Sequence, residues 1–269
     1  LQKAGLSAYV GKVNMDRNSP EFLIEETNQS LADTKVWLDT SAQFGPLVKP
    51  IITPRFVPSC TSELMTGLTK LTKEYDVPVQ SHLSENHGEI DWVASLHPES
   101  SNYTDVYYEH HLMGTVPTVM AHCIHLSDVE MDRMAETQTM VSHCPYSNVN
   151  LSSGIAPIRK LIERNIPIGL GSDISGGHIV SMAKVLTEAI GLSKMKWAEV
   201  DPNYAPLTLS EAFYMATKGG GQFFGHVGSF EKGYELDALI IDDTSLFDPN
   251  ERSLEERLER WLYVGDDRH

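Results

Sequence analysis

The sequence predicts an α/β protein whose parallel strands form part of a barrel. Three observations carry this. Six short β-rich runs recur along the chain, each is followed by a helical pattern, and most of the runs end in polar residues. The runs cover residues 8–13, 48–55, 77–83, 118–123, 139–144 and 166–173. They read as apolar on both faces, as strands covered by helices on one side and packed inward on the other should be. Strands alternating with helices imply a parallel sheet, because parallel neighbours need a crossover.

The intervening helices announce themselves by periodicity and by caps. Leu64, Leu68 and Leu71 repeat on one face after Ser62. Ser127-x-x-Glu130 is a capping box that opens a helix through Ala135. Ile155, Ile158, Leu161 and Ile162 line another helix. Thr208-x-x-Glu211 caps a further one, expected to end before Gly219-Gly220-Gly221. After Gly225 the pattern changes: a turn over 228–233, a strand over 236–242 and a charged helix over 253–263. The expected division is a catalytic barrel portion at 1–225 and a C-terminal portion at 226–269.

Composition narrows the function classes. The 269 residues are 41% hydrophobic and 22% charged, which fits a globular chain with a sizeable core. No apolar run approaches the roughly 20 residues of a membrane-spanning helix. The net charge of −16 repels phosphate backbones and makes nucleic acid a poor partner. Three cysteines, Cys60, Cys123 and Cys144, with no Cys-x-x-Cys, fit a reducing, cytoplasmic setting in which they pack as small hydrophobes.

The polar strand ends are where chemistry is expected. They are Thr53-Pro54-Arg55-Phe56, Gln80-Ser81-His82-Leu83-Ser84-Glu85-Asn86, Ala121-His122-Cys123, Ser142-His143-Cys144-Pro145 and Gly171-Ser172-Asp173. In a parallel barrel such ends share one rim, so Arg55, His82, Glu85, His122, His143 and Asp173 are expected to converge. Imidazoles with a carboxylate are the ligands of a catalytic zinc or iron, and Glu85 on a loop past His82 suits a proton shuttle. Each residue has a plainer reading. A lone His82 is more often a core imidazole and a lone Arg55 more often a rim ion pair; Glu85 also reads as surface charge, and Asp173 alone reads equally well as a helix cap. Three histidines on successive strand ends favour a site. His125, three residues after His122, is a weak metal-pair signal, and His178 follows Gly176-Gly177 near the rim. No Gly-x-Ser-x-Gly elbow supports a serine nucleophile.

The segment Gln80–Asn86 resembles the histidine and proton-shuttle motif of the nucleobase deaminases in the amidohydrolase superfamily. Met120-Ala121-His122, Ser142-His143-Cys144-Pro145-x-Ser147-Asn148 with Leu151-Ser152-Ser153-Gly154, and Gly169-Leu170-Gly171-Ser172-Asp173-x-x-Gly176-Gly177 agree with it. Pro54-Arg55-Phe56-x-x-Ser59-Cys60 taken with Ser81–Asn86 is similar to the guanine deaminase family in particular. The Gly-x-Phe-x-x-Gly-x-x-x-Asp-Ala stretch from Gly228 looks like that superfamily's return to a β-sandwich.

The resemblance implies a (β/α)8 TIM barrel of the amidohydrolase type and hydrolysis of guanine to xanthine and ammonia with one zinc, or iron. It implies His82 and Asp173 as metal ligands, Glu85, Asp173 and His122 as catalytic residues, and Arg55, Phe56, His82, Glu85 and Asp173 around the substrate. Guanine is neutral, so an acidic protein does not exclude it. The implied partner is guanine, in a possible homodimer. The superfamily's His-x-His pair has no counterpart, since no two histidines stand two apart. Only six of eight strand units are countable. The expectation is therefore an N-terminally truncated, incomplete barrel, inactive alone, with a sandwich remnant at its C-terminus. The rival readings are a deaminase of another ring (cytosine, an adenosine derivative or a triazine) and a non-catalytic barrel fragment that serves as an interaction module.

Overall fold

The computed structural model describes residues 1–41, 43–246, 248–266 and 268–269. The chain forms two compact units. The first is Leu1–Val141 with Arg164–Ile166, and the second is Ser142–Glu163 with Pro167–His269.

In the first unit each of the first two predicted strands is interrupted. The 8–13 run becomes β1 (Ala8–Val10) and β2 (Val13–Asn14). Helix α1 (Thr27–Ser41) follows, and then β3 (Val48–Pro50) and β4 (Thr53–Pro54). β1 pairs with β3 and β2 with β4, both parallel. A Cβ on Gly11 would collide with the Thr53 side chain and the Ile51 carbonyl, so only glycine lets the two interrupted strands lie this close.

Helix α2 (Ser62–Tyr75) is capped by the Thr61 hydroxyl, which accepts from Leu64 N, and it ends on Asp76 in the left-handed region. Its apolar face buries Leu64, Met65, Leu68 and Leu71. β5 (Val79–Leu83), α3 (His87–Leu96), α4 (Tyr103–Glu109), β6 (Thr118–His122) and α5 (Asp128–Glu136) complete the unit up to β7 (Met140–His143), which carries the boundary. β5 and β6 run parallel with His82 opposite Ala121 and Leu83 opposite His122. Both strands alternate buried and half-buried positions. The half-buried set includes Gln80 and His82, so these strands are not apolar on both faces. The Ser127–Glu130 capping box is present, and its helix runs one residue past the expected end.

The second unit holds α6 (Pro145–Asn150), α7 (Ile158–Glu163), β8 (Ile168–Leu170), α8 (Met182–Glu199), α9 (Leu209–Tyr214) and α10 (Leu254–Val264). Arg159 clamps Glu211 through two bonds of 2.7 and 2.9 Å and also donates to the Ala205 and Pro206 carbonyls. Lys184 on α8 donates to the Tyr263 carbonyl on α10 at 2.7 Å.

Two expectations fail in this unit. The glycine triplet does not break its helix: α9 continues through a π-turn at Met215–Gly219, and helix persists at Gly220 and Gly221. A Cβ at Gly219 would lie 2.9 Å from the Ile168 carbonyl, so the glycine serves close packing of this helix on β8. The expected strand at 236–242 is not a strand. Leu236, Leu239 and Ile240 are 77%, 82% and 98% exposed, and the segment has no ladder partner among the described residues. An apolar run becomes a strand only when another backbone takes up its N–H and C=O groups. The terminal helix forms as expected, with Ser253 and Glu256 as a capping box.

Candidate functional site

In the first unit the ends of β4, β5 and β6 bring four of the expected residues into contact. His82 Nδ1 lies 2.6 Å from the carbonyl oxygen of Arg55. A carbonyl only accepts, so Nδ1 carries a proton, and in the neutral ring the lone pair is then on Nε2. The His82 and His122 rings stack with centroids 5.4 Å apart. Glu85 Oε2 is 3.7 Å from His122 Nε2. The Arg55 guanidinium lies 5.2 Å from the centroid of the Phe56 ring, and Arg55 Nη1 reaches the sulfur of Met15 at 3.6 Å. Among the described residues no carboxylate pairs with Arg55, so the rim ion-pair reading does not hold.

Local sequence explains how these side chains are aimed. Ser84 adopts φ +49°, His122 +71° and Cys123 +52°, left-handed values that cost a non-glycine residue about 1–2 kcal/mol each. The turn at Ser84 lifts Glu85 off the strand, and the Ser84 carbonyl accepts from Ile124 N and His125 N at 3.1 Å each. Asn86 then caps α3, with Glu89 completing the capping box. Strain held at the ends of two neighbouring strands is characteristic of functional sites.

Beneath the site lies a layer that sequence reasoning missed. Tyr107 donates to the His82 carbonyl at 2.9 Å, and its hydroxyl is 2.7 Å from Ser81 Oγ. Ser81 Oγ in turn donates to the Pro54 carbonyl at 2.7 Å. Tyr103 bonds Glu89 at 2.6 Å and stacks on Tyr107 with centroids 5.8 Å apart. Burial raises the pKa of Tyr107, so the phenol stays protonated as a donor. The available signal was the i, i+4 tyrosine pair on α4. The ring of His125, the weak metal-pair signal, lies with its centroid 4.0 Å from that of His87.

The second unit carries His143, His178 and Asp173. His143 is buried at the end of β7, and its carbonyl accepts from Gly171 N at 2.9 Å. Asp173 follows β8 with φ +44°, and its carbonyl accepts from Gly177 N at 2.6 Å. A Cβ at Gly176 would stand 2.7 Å from both Asp173 Oδ2 and Ser147 Oγ, so the glycine keeps this corner open around the carboxylate. Asp173 is not a helix cap, since the next helix starts at Met182 behind Ser181. His178 packs edge-on against Tyr146 with centroids 5.1 Å apart. Cys60, Cys123 and Cys144 are all buried, and burial pushes the Cys60 thiol up to about 11.

The tautomer of His82 is that of a metal-ligating imidazole, whose second nitrogen characteristically donates to a carbonyl or carboxylate. Among the described residues, however, no group of three or more histidine, cysteine, aspartate or glutamate side chains could hold a metal ion. A catalytic zinc usually takes three protein ligands. The donors present do not make a complete metal site, and the chemistry that follows is that of the chain's own acid, base and aromatic groups.

Parallel strands with polar ends, a histidine on each of two neighbouring strands and a carboxylate on the loop after the first are the features of an amidohydrolase-type fold. The profile of the Amidohydrolase family matches residues 2–267, and the chain belongs to that family. It is similar to several guanine deaminases. It is 46% identical to the guanine deaminase of Dictyostelium discoideum over 100% of this chain and 61% of the relative. Among solved structures it is similar to the guanine deaminase of C. acetobutylicum with bound guanine in the active site. The TM-score is 0.96 and the identity 53%, over 99% of this chain and 64% of that one. The E. coli guanine deaminase superposes with a TM-score of 0.88 at 35% identity, over 96% of this chain and 60% of that one. The chain spans 61% of the length of its Dictyostelium and mouse relatives and 52% of its Schizosaccharomyces pombe relative. No helix among the described residues is long and apolar enough to cross a membrane.

Proposed function

We propose that these residues form the site of a guanine deaminase, which hydrolyses guanine to xanthine and ammonia, and that the chain alone, with two of the three metal donors, is inactive. The carrying observation is the Glu85–His122 pair, 3.7 Å apart, on the loop and strand beside His82, with His82 bonded to the carbonyl of Arg55. The likeness to guanine deaminases supports guanine as the substrate.

In this reading Arg55 donates to an acceptor edge of the purine, and Phe56 packs on its face. Water attacks the ring carbon that bears the exocyclic amine. Asp173 takes a proton from that water, and His122 orients the water and the ring. Glu85 gives its proton to the ring nitrogen, takes a proton from the new hydroxyl as that closes to the carbonyl and passes it to the amine, so that the carbon–nitrogen bond breaks and ammonia leaves; the proton held by Asp173 then returns to Glu85. Positioned acid–base groups of this kind supply about 10²–10⁴-fold in rate. His82 and Asp173 are the proposed donors to a divalent ion, zinc in first place and iron in second, and two donors fall short of the three that a catalytic zinc takes. The strand segments are proposed as staves of a (β/α)8 barrel, with 1–225 as its barrel portion and 226–269 as its C-terminal portion. The proposed setting is the cytoplasm, where the three buried thiols suit a reducing environment.

The test is guanine turnover by the purified whole protein with zinc or iron supplied. Xanthine and ammonia formed one to one support the reading. Metal-loaded, folded protein that forms neither overturns it.

A further inference from the structure

The loop that carries Arg55 and Phe56 is held by a second loop, residues 14–18, which the proposed chemistry does not use. Arg55 N donates to the Asn14 carbonyl at 3.2 Å, and Asp16 N donates to the Ser59 carbonyl at 3.0 Å. The Asp16 carboxylate accepts from Thr61 N at 2.7 Å and from the Thr61 hydroxyl at 2.5 Å. Asn18 Nδ2 donates to the Pro58 carbonyl at 2.9 Å.

Between them stands Arg17, whose position is harder to explain by loop packing. Its Nη2 donates to the Val57 carbonyl at 2.9 Å and to His97 Nε2 at 3.1 Å. Its Nε is buried without a partner, and among the described residues no carboxylate pairs with the guanidinium. A partly buried guanidinium without a direct ion pair rests on its hydrogen bonds, with the Asp16 charge nearby, so these two contacts hold it in place. Val57 directly follows Phe56. His97 caps the C-terminus of α3, and α3 also carries Trp92, which meets the Phe56 ring edge-on with centroids 6.4 Å apart. Arg17 thus ties together the two elements that hold the Phe56 ring, its own backbone and the helix behind it. Because an arginine can only donate, His97 accepts through Nε2 and keeps its proton on Nδ1, 3.4 Å from Glu99.

We propose that Arg17 is a positioning residue for purine recognition: by fastening Val57 to His97 it fixes Phe56 against Trp92 and sets how tightly the Arg55–Phe56 pair holds the ring. This rests on the deaminase reading. It places Arg17 in ring binding and outside the proton transfers of Glu85 and Asp173.

The experiment compares guanine kinetics of the whole protein with those of Arg17→Met, Arg17→Lys, His97→Gln and His97→Leu, each checked for folding by its unfolding midpoint. Loss of a hydrogen bond to a charged group is worth about tenfold or more in binding. Arg17→Met is therefore expected to raise KM about tenfold with kcat within about threefold. Arg17→Lys, which keeps a cation but not the fork, recovers part of the loss. His97→Gln, whose side-chain oxygen can accept from Arg17, keeps KM near wild type, and His97→Leu raises it as Arg17→Met does. If Arg17→Met fails to fold, the two His97 variants decide. A folded Arg17→Met or His97→Leu with unchanged KM overturns the inference, as does a loss confined to kcat. Absence of guanine turnover in the wild-type protein overturns the deaminase reading and this inference with it, whereas turnover with insensitive KM overturns the inference alone.

Discussion

The carboxylate of Glu89 accepts the backbone N–H of Glu85 at 3.0 Å, so the residue that completes the cap of α3 also fixes the turn that presents the proposed proton shuttle. Its other oxygen takes the hydroxyl of Tyr103 at 2.6 Å. Burial, more than any other cause, raises the pKa of Glu89 above its ordinary value. Between the ordinary value and the raised one the native state holds a proton that the unfolded chain has released. Stability from this group is complete below the ordinary carboxylate value and declines as pH rises through the raised one. Glu89→Gln is expected to remove that part of the pH dependence in denaturant unfolding. Glu89→Ala leaves the Tyr103 hydroxyl and the Glu85 N–H without their acceptor and is expected to cost about 1–3 kcal/mol. An alanine variant as stable as wild type would show that water replaces the carboxylate.

Glu85→Gln tests the shuttle itself. Glutamine keeps the shape of the side chain and cannot carry the proton. Guanine turnover is expected to fall about 10²–10⁴-fold, with metal content per chain unchanged. Undiminished turnover would remove Glu85 from the mechanism.

Tyr107→Phe removes one hydroxyl from beneath the site. That hydroxyl touches Ser81 Oγ at 2.7 Å and donates to the His82 carbonyl at 2.9 Å, in a fully buried setting. The expected loss is about 1–3 kcal/mol in urea unfolding, the cost of buried polar groups left unsatisfied. A loss under half of the lower figure would mean that Tyr103, whose hydroxyl is 3.5 Å from the same carbonyl, takes over.

What the sequence disclosed depended on whether burial was apolar. α2 was legible because Leu64, Leu68 and Leu71 bury one stripe, and α5 because Ser127 and Glu130 write their cap into the sequence. α1 left no such trace. Its buried face includes Ser30, Thr34 and Ser41, and the Asn14 amide donates to Ser30 Oγ at 2.8 Å and to Thr34 Oγ1 at 2.7 Å. A helix packed by hydrogen bonds has no hydrophobic period to read. The opposite error occurred at 236–242, where an apolar run suggested a strand although strand formation depends on a pairing partner. At the site, His82, Glu85, His122, Arg55 and Phe56 were visible as polar or aromatic residues at strand ends. The Arg17–His97 bond and the Tyr103–Tyr107 layer were not, because they join residues 80 apart or lie under the backbone.

The Arg159–Glu211 clamp gives the second unit an acid-sensitive ion pair. The two guanidinium bonds, ahead of the bonds from Thr208, hold the Glu211 carboxyl down to about 2. In the unfolded chain the same group titrates at its ordinary value near 4.5. Between those values the unfolded chain binds a proton that the folded one refuses. The clamp's contribution is therefore present above about pH 4.5 and is lost as pH falls toward 2. The pair is partly open to solvent, with side-chain exposures of 15% and 32%, so screening reduces what it contributes. Glu211→Gln keeps the bond to Thr208 but removes the charge, and it leaves Arg159 facing the Ala205 and Pro206 carbonyls. Urea unfolding of wild type and variant across pH 2 to 7 is the measurement. The two curves are expected to differ most near neutrality and to converge in acid. A constant gap at every pH would mean that the clamp acts through packing and not through charge.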